Sequence, residues 1–200
     1  MNRRTSILLL TSVLIAANQT KAQEAPPAPF GLQWQKSAAE VQELGVKLTE
    51  VEMADFGTSY AATHLPKALS DLETVILSFG YNDSLFRIAA ISREFSNDDF
   101  GTSVRSRYNE LATSLAKSYS SGTVYERKAT ESYYSAPDKF SYAISERKAV
   151  WFRMFSSPDA DIELGIGSSL SDPYWRLIYT HRDGEKEFQS AKGQREADAL

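Results

Sequence analysis

Few residues in this 200-residue chain have the types and spacing that chemistry requires. The only imidazoles are His64 and His181. They lie far apart in sequence, and neither has a second ligand at metal-binding spacing, so each reads as a lone surface or loop histidine. There is no cysteine, which excludes disulfides, thiol nucleophiles and cysteine metal sites. Ser114 and Ser145 each precede a lysine by three residues, Lys117 and Lys148. In penicillin-recognising enzymes that spacing sets an amine beside a serine hydroxyl on one helical turn, but the companion Lys-Thr-Gly and Ser-Asp-Asn elements are missing here. No Gly-x-Ser-x-Gly occurs. Gly165-Ile166-Gly167 lacks a third glycine and opens no helix, so it makes no phosphate cradle and instead permits a bulge or the close packing of a neighbour. The acid pairs Asp98-Asp99 and Asp159/Asp161 sit at turns, where capping explains them. Asn82-Asp83-Ser84 matches a glycosylation sequon, which has no meaning in a bacterial periplasm. No catalytic residue, metal ligand or cofactor is assigned.

Aromatic residues carry the stronger signal. Trp151, Phe152, Phe155, Tyr174, Trp175 and Tyr179 crowd the second half. Period-two alternation sets Val150, Phe152 and Met154 against Trp151, Arg153 and Phe155 in one strand. In another it sets Tyr174, Arg176 and Ile178 against Trp175, Leu177 and Tyr179. Apolar residues on both faces of two strands exceed what a half-solvated antiparallel sheet needs. Either another element covers the second face, or an aromatic groove receives a partner or an apolar ligand. The groove reading selects Trp151, Phe155, Trp175 and Tyr179 as binding residues.

The elements that would position these residues follow from periodicity. Ser37-Ala38-Ala39-Glu40 has capping-box spacing, and Val41, Leu44 and Leu48 predict a helix over 38–48 despite Gly45. Residues 51–60 look weakly extended. Leu72–Phe79 and Leu85–Phe95 read as a hairpin around Gly80–Ser84, with Leu85, Ala89, Ile91 and Phe95 on one face beside Arg87 and Arg93. Asn97-Asp98-Asp99 caps a helix whose stripe is Val104, Tyr108, Leu111, Leu115 and Tyr119, ending at Gly122. Thr123–Ser135 is polar and tyrosine-bearing. Pro137 starts a short helix with Phe140 and Ile144. Strands follow at 149–155, 162–166 and 174–181, then a polar tail or weak helix. The fold class is α+β: antiparallel meanders with helices on one face, as one sheet or as a duplicated helix–three-strand unit with halves 30–122 and 136–200.

The N-terminus predicts export. Arg3 and Arg4 precede an 11-residue apolar stretch, Ile7–Ala17, followed by Thr20-Lys21-Ala22. A membrane span needs about 20 residues, so this reads as a signal peptide cut after Ala22, with Ala17 as the second candidate site. Gln23–Pro29 reads as an extended, proline-rich leader, and 30–200 as the α+β domain. The absence of cysteine denies the chain a lipoprotein's lipid and favours a bacterial periplasm over a disulfide-using compartment. Cleavage would remove three cations and no acid, taking the formal charge from −4 to −7. That acidity argues against nucleic acid and anionic lipid as partners, and no membrane insertion is expected after cleavage.

Phe30-Gly31-Leu32-x-Trp34-x-x-Ser37-x-x-Glu40-Val41 resembles the opening of uncharacterised exported proteobacterial proteins. Their usual form is Gly-Leu-x-Trp-Gly-Met-Ser-x-x-Glu-Val, and Gln35 and Lys36 here replace Gly-Met. The ending Glu196-Ala197-Asp198-Ala199-Leu200 is similar to theirs. More distantly, a Ser-x-x-Glu-Val helix before a three-strand meander is similar to small outer-membrane assembly lipoproteins and β-lactamase inhibitor proteins. These resemblances imply binding rather than catalysis and carry over no individual residue. The expectation is a soluble periplasmic protein that binds another envelope protein. The alternatives are a periplasmic hydrolase built from distant serine, histidine and carboxylate groups, and a small apolar-ligand binder needing a pocket between sheet and helices.

Overall fold

The protein's structure is a computed structural model that describes residues 27–53 and 56–200. The signal peptide expected over 1–22 and the expected leader up to residue 26 lie outside the described residues. The end of the leader is tied down: Pro27 bridges to Gln33, and the Ala28 amide donates to the Leu32 carbonyl at 2.9 Å.

Ser37 caps the first helix as its spacing predicts. Its hydroxyl accepts the Glu40 amide at 3.2 Å, and the Glu40 carboxylate accepts the Ser37 amide at 2.9 Å. The helix, α1, covers only Ala38–Glu43. Gly45 terminates it at φ 87°, so Leu44 is exposed and Leu48 passes into the first strand. The strands are β1 (Lys47–Val51), β2 (Thr58–Thr63), β3 (Leu72–Phe79) and β4 (Leu85–Ser92). Helix α2 (Thr102–Leu115) follows, then β5 (Ser120–Arg127), α3 (Phe140–Ser145), β6 (Val150–Ser156), β7 (Ala160–Ser169), β8 (Asp172–His181) and α4 (Arg182–Asp198).

The eight strands form one antiparallel sheet in the order β1-β2-β3-β4-β8-β7-β6-β5. The structure divides after β4, not between 122 and 136: α1 with β1–β4, then α2 with β5–β8, α3 intervening between β5 and β6. The last strands of the two units pair at the centre, Ile88 opposite Tyr179 and Ala90 opposite Leu177. The fold is thus α+β, with four strands per half where the pattern predicts three. The added strand in the second half is β5, exposed along its whole length and so without an apolar period to betray it. It includes Gly122, which does not end α2; that helix stops at Leu115.

Helix α2 buries its predicted stripe of Val104, Tyr108, Leu111 and Leu115 against Ile162, Leu164, Trp175, Leu177 and Tyr179. Burying each large apolar side chain contributes about 1.5–3 kcal/mol, which places the core on this face. Asp98 fixes the start of α2, its carboxylate accepting the amides of Thr102 (2.7 Å) and Val104 (2.9 Å). Asp71 ties α2 to the sheet. It takes two hydrogen bonds from Arg107, at 2.9 Å each, and one from the Trp175 indole at 2.8 Å. Ala143 and Ile144 of α3 form a second cluster with Ala149, beside Trp151. Helix α4 is anchored at the β3–β4 hairpin by Phe188, stacked on Phe86 (4.9 Å) and Tyr81 (5.2 Å).

A register shift beside Phe79 changes the expected face of β4. Leu85, Ile88 and Ala90 are buried in the core, while Arg87, Ala89 and Ile91 turn to the opposite face.

Candidate functional site

The four aromatic residues selected from sequence lie on the helix-covered face. Trp175 is wholly buried, and Phe155 and Tyr179 are nearly so, all within the main core. Trp151 is half-buried, its ring edge-to-face with Phe140 at 5.3 Å. Trp175, Phe155 and Tyr179 form no exposed groove, because α2 packs over the face they share, whereas Trp151 also reaches the wall of a bowl beside Phe152.

The residues alternating with them make a different surface. Register sets Tyr125 of β5 beside Phe152 of β6, Phe152 beside Gly165 of β7, and Gly165 beside Arg176 of β8. Across β8, Ile178 neighbours Ala89, whose β3 partner is Ile76. Tyr125 stacks on Phe152 with ring centroids 4.9 Å apart and planes at 21°. Phe152, Met154, Ile178, Ile91 and Ile76 keep partial exposure and join neither core cluster. Among the described residues, no helix is packed over this part of the sheet.

The two β7 glycines shape this face. A Cβ on Gly167 would lie 2.5 Å from the Tyr174 ring, and one on Gly165 would lie 3.1 Å from Arg176 Nε. Tyr174 and Arg176 therefore lie flat across β7 where a side chain would otherwise stand, the close packing the sequence suggested. Arg147, Phe152, Tyr174 and Arg176 line a bowl of 360 Å³ there, together with Trp151 and, at the α3 end, Ile144. Arg176 is paired with Glu163 at 2.8 Å. Arg127, on the same face of β5 as Tyr125, and Arg147 at the rim have no carboxylate partner among the described residues. Further along the sheet, Arg87 sits 4.1 Å from the Phe56 ring centroid. Burial pulls its pKa down, opposed by Glu163 and Glu185. An arginine there stays charged.

The chemical candidates fall into structural roles. His181 is buried, stacks on Trp34 at 5.5 Å, and its Nδ1 accepts the Gly184 amide at 3.1 Å. It caps α4 rather than lying at the surface, with its proton on Nε2, and burial lowers its pKa. His64 is exposed, with Nδ1 3.1 Å from the Thr63 hydroxyl. Ser145 donates to the Tyr142 carbonyl and Lys148 pairs with Glu131, so that Ser–Lys spacing makes no dyad. Asp161 binds Arg182. Asp83 accepts the Ala38 amide at 3.2 Å, which ties the hairpin turn to α1. No cluster of three metal-ligating residues occurs among the described residues, and no helix there is long and apolar enough to cross a membrane.

No family model, curated protein or solved structure matches the chain. Sequence reasoning passed over Tyr125, Arg127 and Arg147 because none lies in an apolar run. Phe152 and Tyr174 carried a legible signal: alternation had already separated them from the residues that α2 covers.

Proposed function

We propose that the protein is an exported, non-catalytic binding protein of the bacterial envelope, and that the open face of its sheet docks another envelope protein. The observation that carries this reading is the uncovered row of Tyr125, Phe152, Met154 and Ile178, backed by the bowl at Tyr174. Register places the Glu163–Arg176 ion pair among these apolar side chains, and a mixed surface of aromatic, aliphatic and arginine groups is of the kind protein interfaces use. The rim decides the partner's chemistry. The chain carries a formal charge of −4, yet Arg127 and Arg147, without a carboxylate partner among the described residues, bring positive charge to this patch. A segment with aromatic or aliphatic anchors and flanking carboxylates complements it. Export supplies the location: the N-terminal pattern supports a periplasmic setting, where such a partner is another envelope protein.

Site-specific photo-cross-linking in cells tests the reading. A cross-linker at Tyr125 or Met154 yields a discrete adduct, and one at Leu44 or Tyr133, exposed away from the open face, yields none. Phe152→Glu abolishes the adduct while shifting stability by only about 1 kcal/mol, because Phe152 lies outside both core clusters. Equal adducts from all four positions, or none from any, overturn the proposal.

A further inference from the structure

On the opposite side of the sheet, α2, the N-terminal segment, the β2–β3 loop and β8 enclose a cleft of 310 Å³. That is room for about ten water volumes of ~30 Å³ each. Phe30, Leu69, Leu111, Leu115, Tyr119 and Tyr179 form most of its wall, with Lys67 also lining it. The wall is mostly apolar, with Ser114, Ser118, Lys67 and the Tyr179 hydroxyl as its polar features. Tyr179 is 6% exposed as a residue, and its hydroxyl, which keeps some accessible surface, has no hydrogen-bond partner among the described residues. Lys67 is exposed and has no carboxylate partner among them. The Tyr119 ring lies 6.3 Å from that of Tyr179.

A phenol hydroxyl on the wall of a largely apolar cleft, with no protein acceptor, is free to donate to a bound molecule. A cation beside an apolar cleft selects the sign of that molecule's head group. We infer that this cleft binds a small amphipathic carboxylate, its alkyl body lying among Phe30, Leu69, Leu111 and Leu115 and its head held by Lys67 and a hydrogen bond from the Tyr179 hydroxyl. Octanoate, with ten non-hydrogen atoms, suits the volume. The site is separate from the open face, so either proposal can fail without the other.

Calorimetric titration of the whole protein with octanoate, and with 1-octanol as its neutral counterpart, tests the assignment. Octanoate binds about tenfold more tightly than octanol. Lys67→Glu, an exposed change that leaves the core intact, removes that preference and weakens octanoate about tenfold without altering octanol. Tyr179→Phe weakens octanoate severalfold while the melting temperature holds. No octanoate binding at millimolar concentration overturns the inference. So does equal affinity for the two ligands, or unchanged octanoate binding in Lys67→Glu.

Discussion

Replacing His181 tests whether a lone histidine can be wholly structural. The ring does three jobs: it caps α4 through Gly184, stacks on Trp34 and fills buried space beside Phe86. Losing the cap costs about 1 kcal/mol, and losing the buried, stacked ring costs about 2 kcal/mol more. His181→Ala is therefore destabilised by about 3 kcal/mol, and His181→Asn, which keeps an acceptor at the cap, by about 2. For a chain of this length, 3 kcal/mol lowers Tm by roughly 6–12 °C. The pH dependence is more specific. Burial holds the folded pKa below the ordinary value, with Asp183, Asp159 and Glu187 opposing it in part. Below about pH 6.5, where an unfolded histidine takes up its proton, the unfolded state binds more protons than the folded one. Stability then falls as pH drops towards the folded pKa, by at most about 1.4 kcal/mol per pH unit. Urea unfolding followed by tryptophan fluorescence between pH 7.5 and 5.5 reads this slope. The slope is present in the wild type and flattened in His181→Asn. Identical slopes in the two proteins refute the neutral-cap argument.

Two further variants probe how α2 is held on the sheet. Asp71→Ala leaves Arg107 only its pairing with Glu110 and leaves the wholly buried Trp175 indole N–H without its acceptor, at a cost of about 2–3 kcal/mol by chemical denaturation. Burial pushes the Asp71 pKa up, but hydrogen bonds from Arg107 and Trp175 outweigh it and hold the carboxyl below the ordinary value. Its stabilisation is therefore complete above about pH 3.8 and is lost as pH falls through the lower folded pKa, so acid unfolding of the variant lacks that component. Asp98→Ala removes the acceptor of two helix amides and costs about 1–2 kcal/mol in the same assay.

The parts of the fold legible in sequence are those where one physical signal dominates. The capping box at Ser37, the Asp98 cap, the α2 stripe and the alternation of Ile162, Leu164 and Ile166 each name an element without tertiary help. The unreadable parts lack such a signal. Strand β5 presents Ser-Ser-Gly-Thr-Val-Tyr-Glu-Arg, exposed throughout and held as a strand by its pairing to β6. Helix α4 buries only Gly184 and Phe188, so its apolar period is faint. For the candidate site, alternation divided the aromatics correctly between two faces, and the error lay in which face remained open. Trp175, Leu177 and Tyr179 carry no charge, whereas Tyr174, Arg176 and Ile178 include one. A helix with an apolar stripe buries the uncharged set at less desolvation cost. Arg153 obscured this logic, because it lies on the α2 side, 5.4 Å from the Tyr108 ring, with its charge met by Glu126.

Gly167 tests whether the open face is a docking surface or merely a solvated one. A glycine within a strand sacrifices about 0.5–1 kcal/mol relative to residues with a side chain, and β7 has two of them, at 165 and 167. On a solvated face a threonine would serve better, standing in water and packing its methyl on the neighbouring strands. At Gly167 the Tyr174 ring fills that place, lying flat and leaving the bowl beside Phe152 open. Gly167→Thr displaces a partly exposed ring rather than backbone, so the protein stays folded and its Tm changes by no more than a few degrees. The bowl does not survive, and the cross-link from Met154 falls with it. Undiminished cross-linking in a folded Gly167→Thr variant shows that the flattened tyrosine has no part in binding, and the docking surface must then shrink to the Tyr125–Phe152 stack.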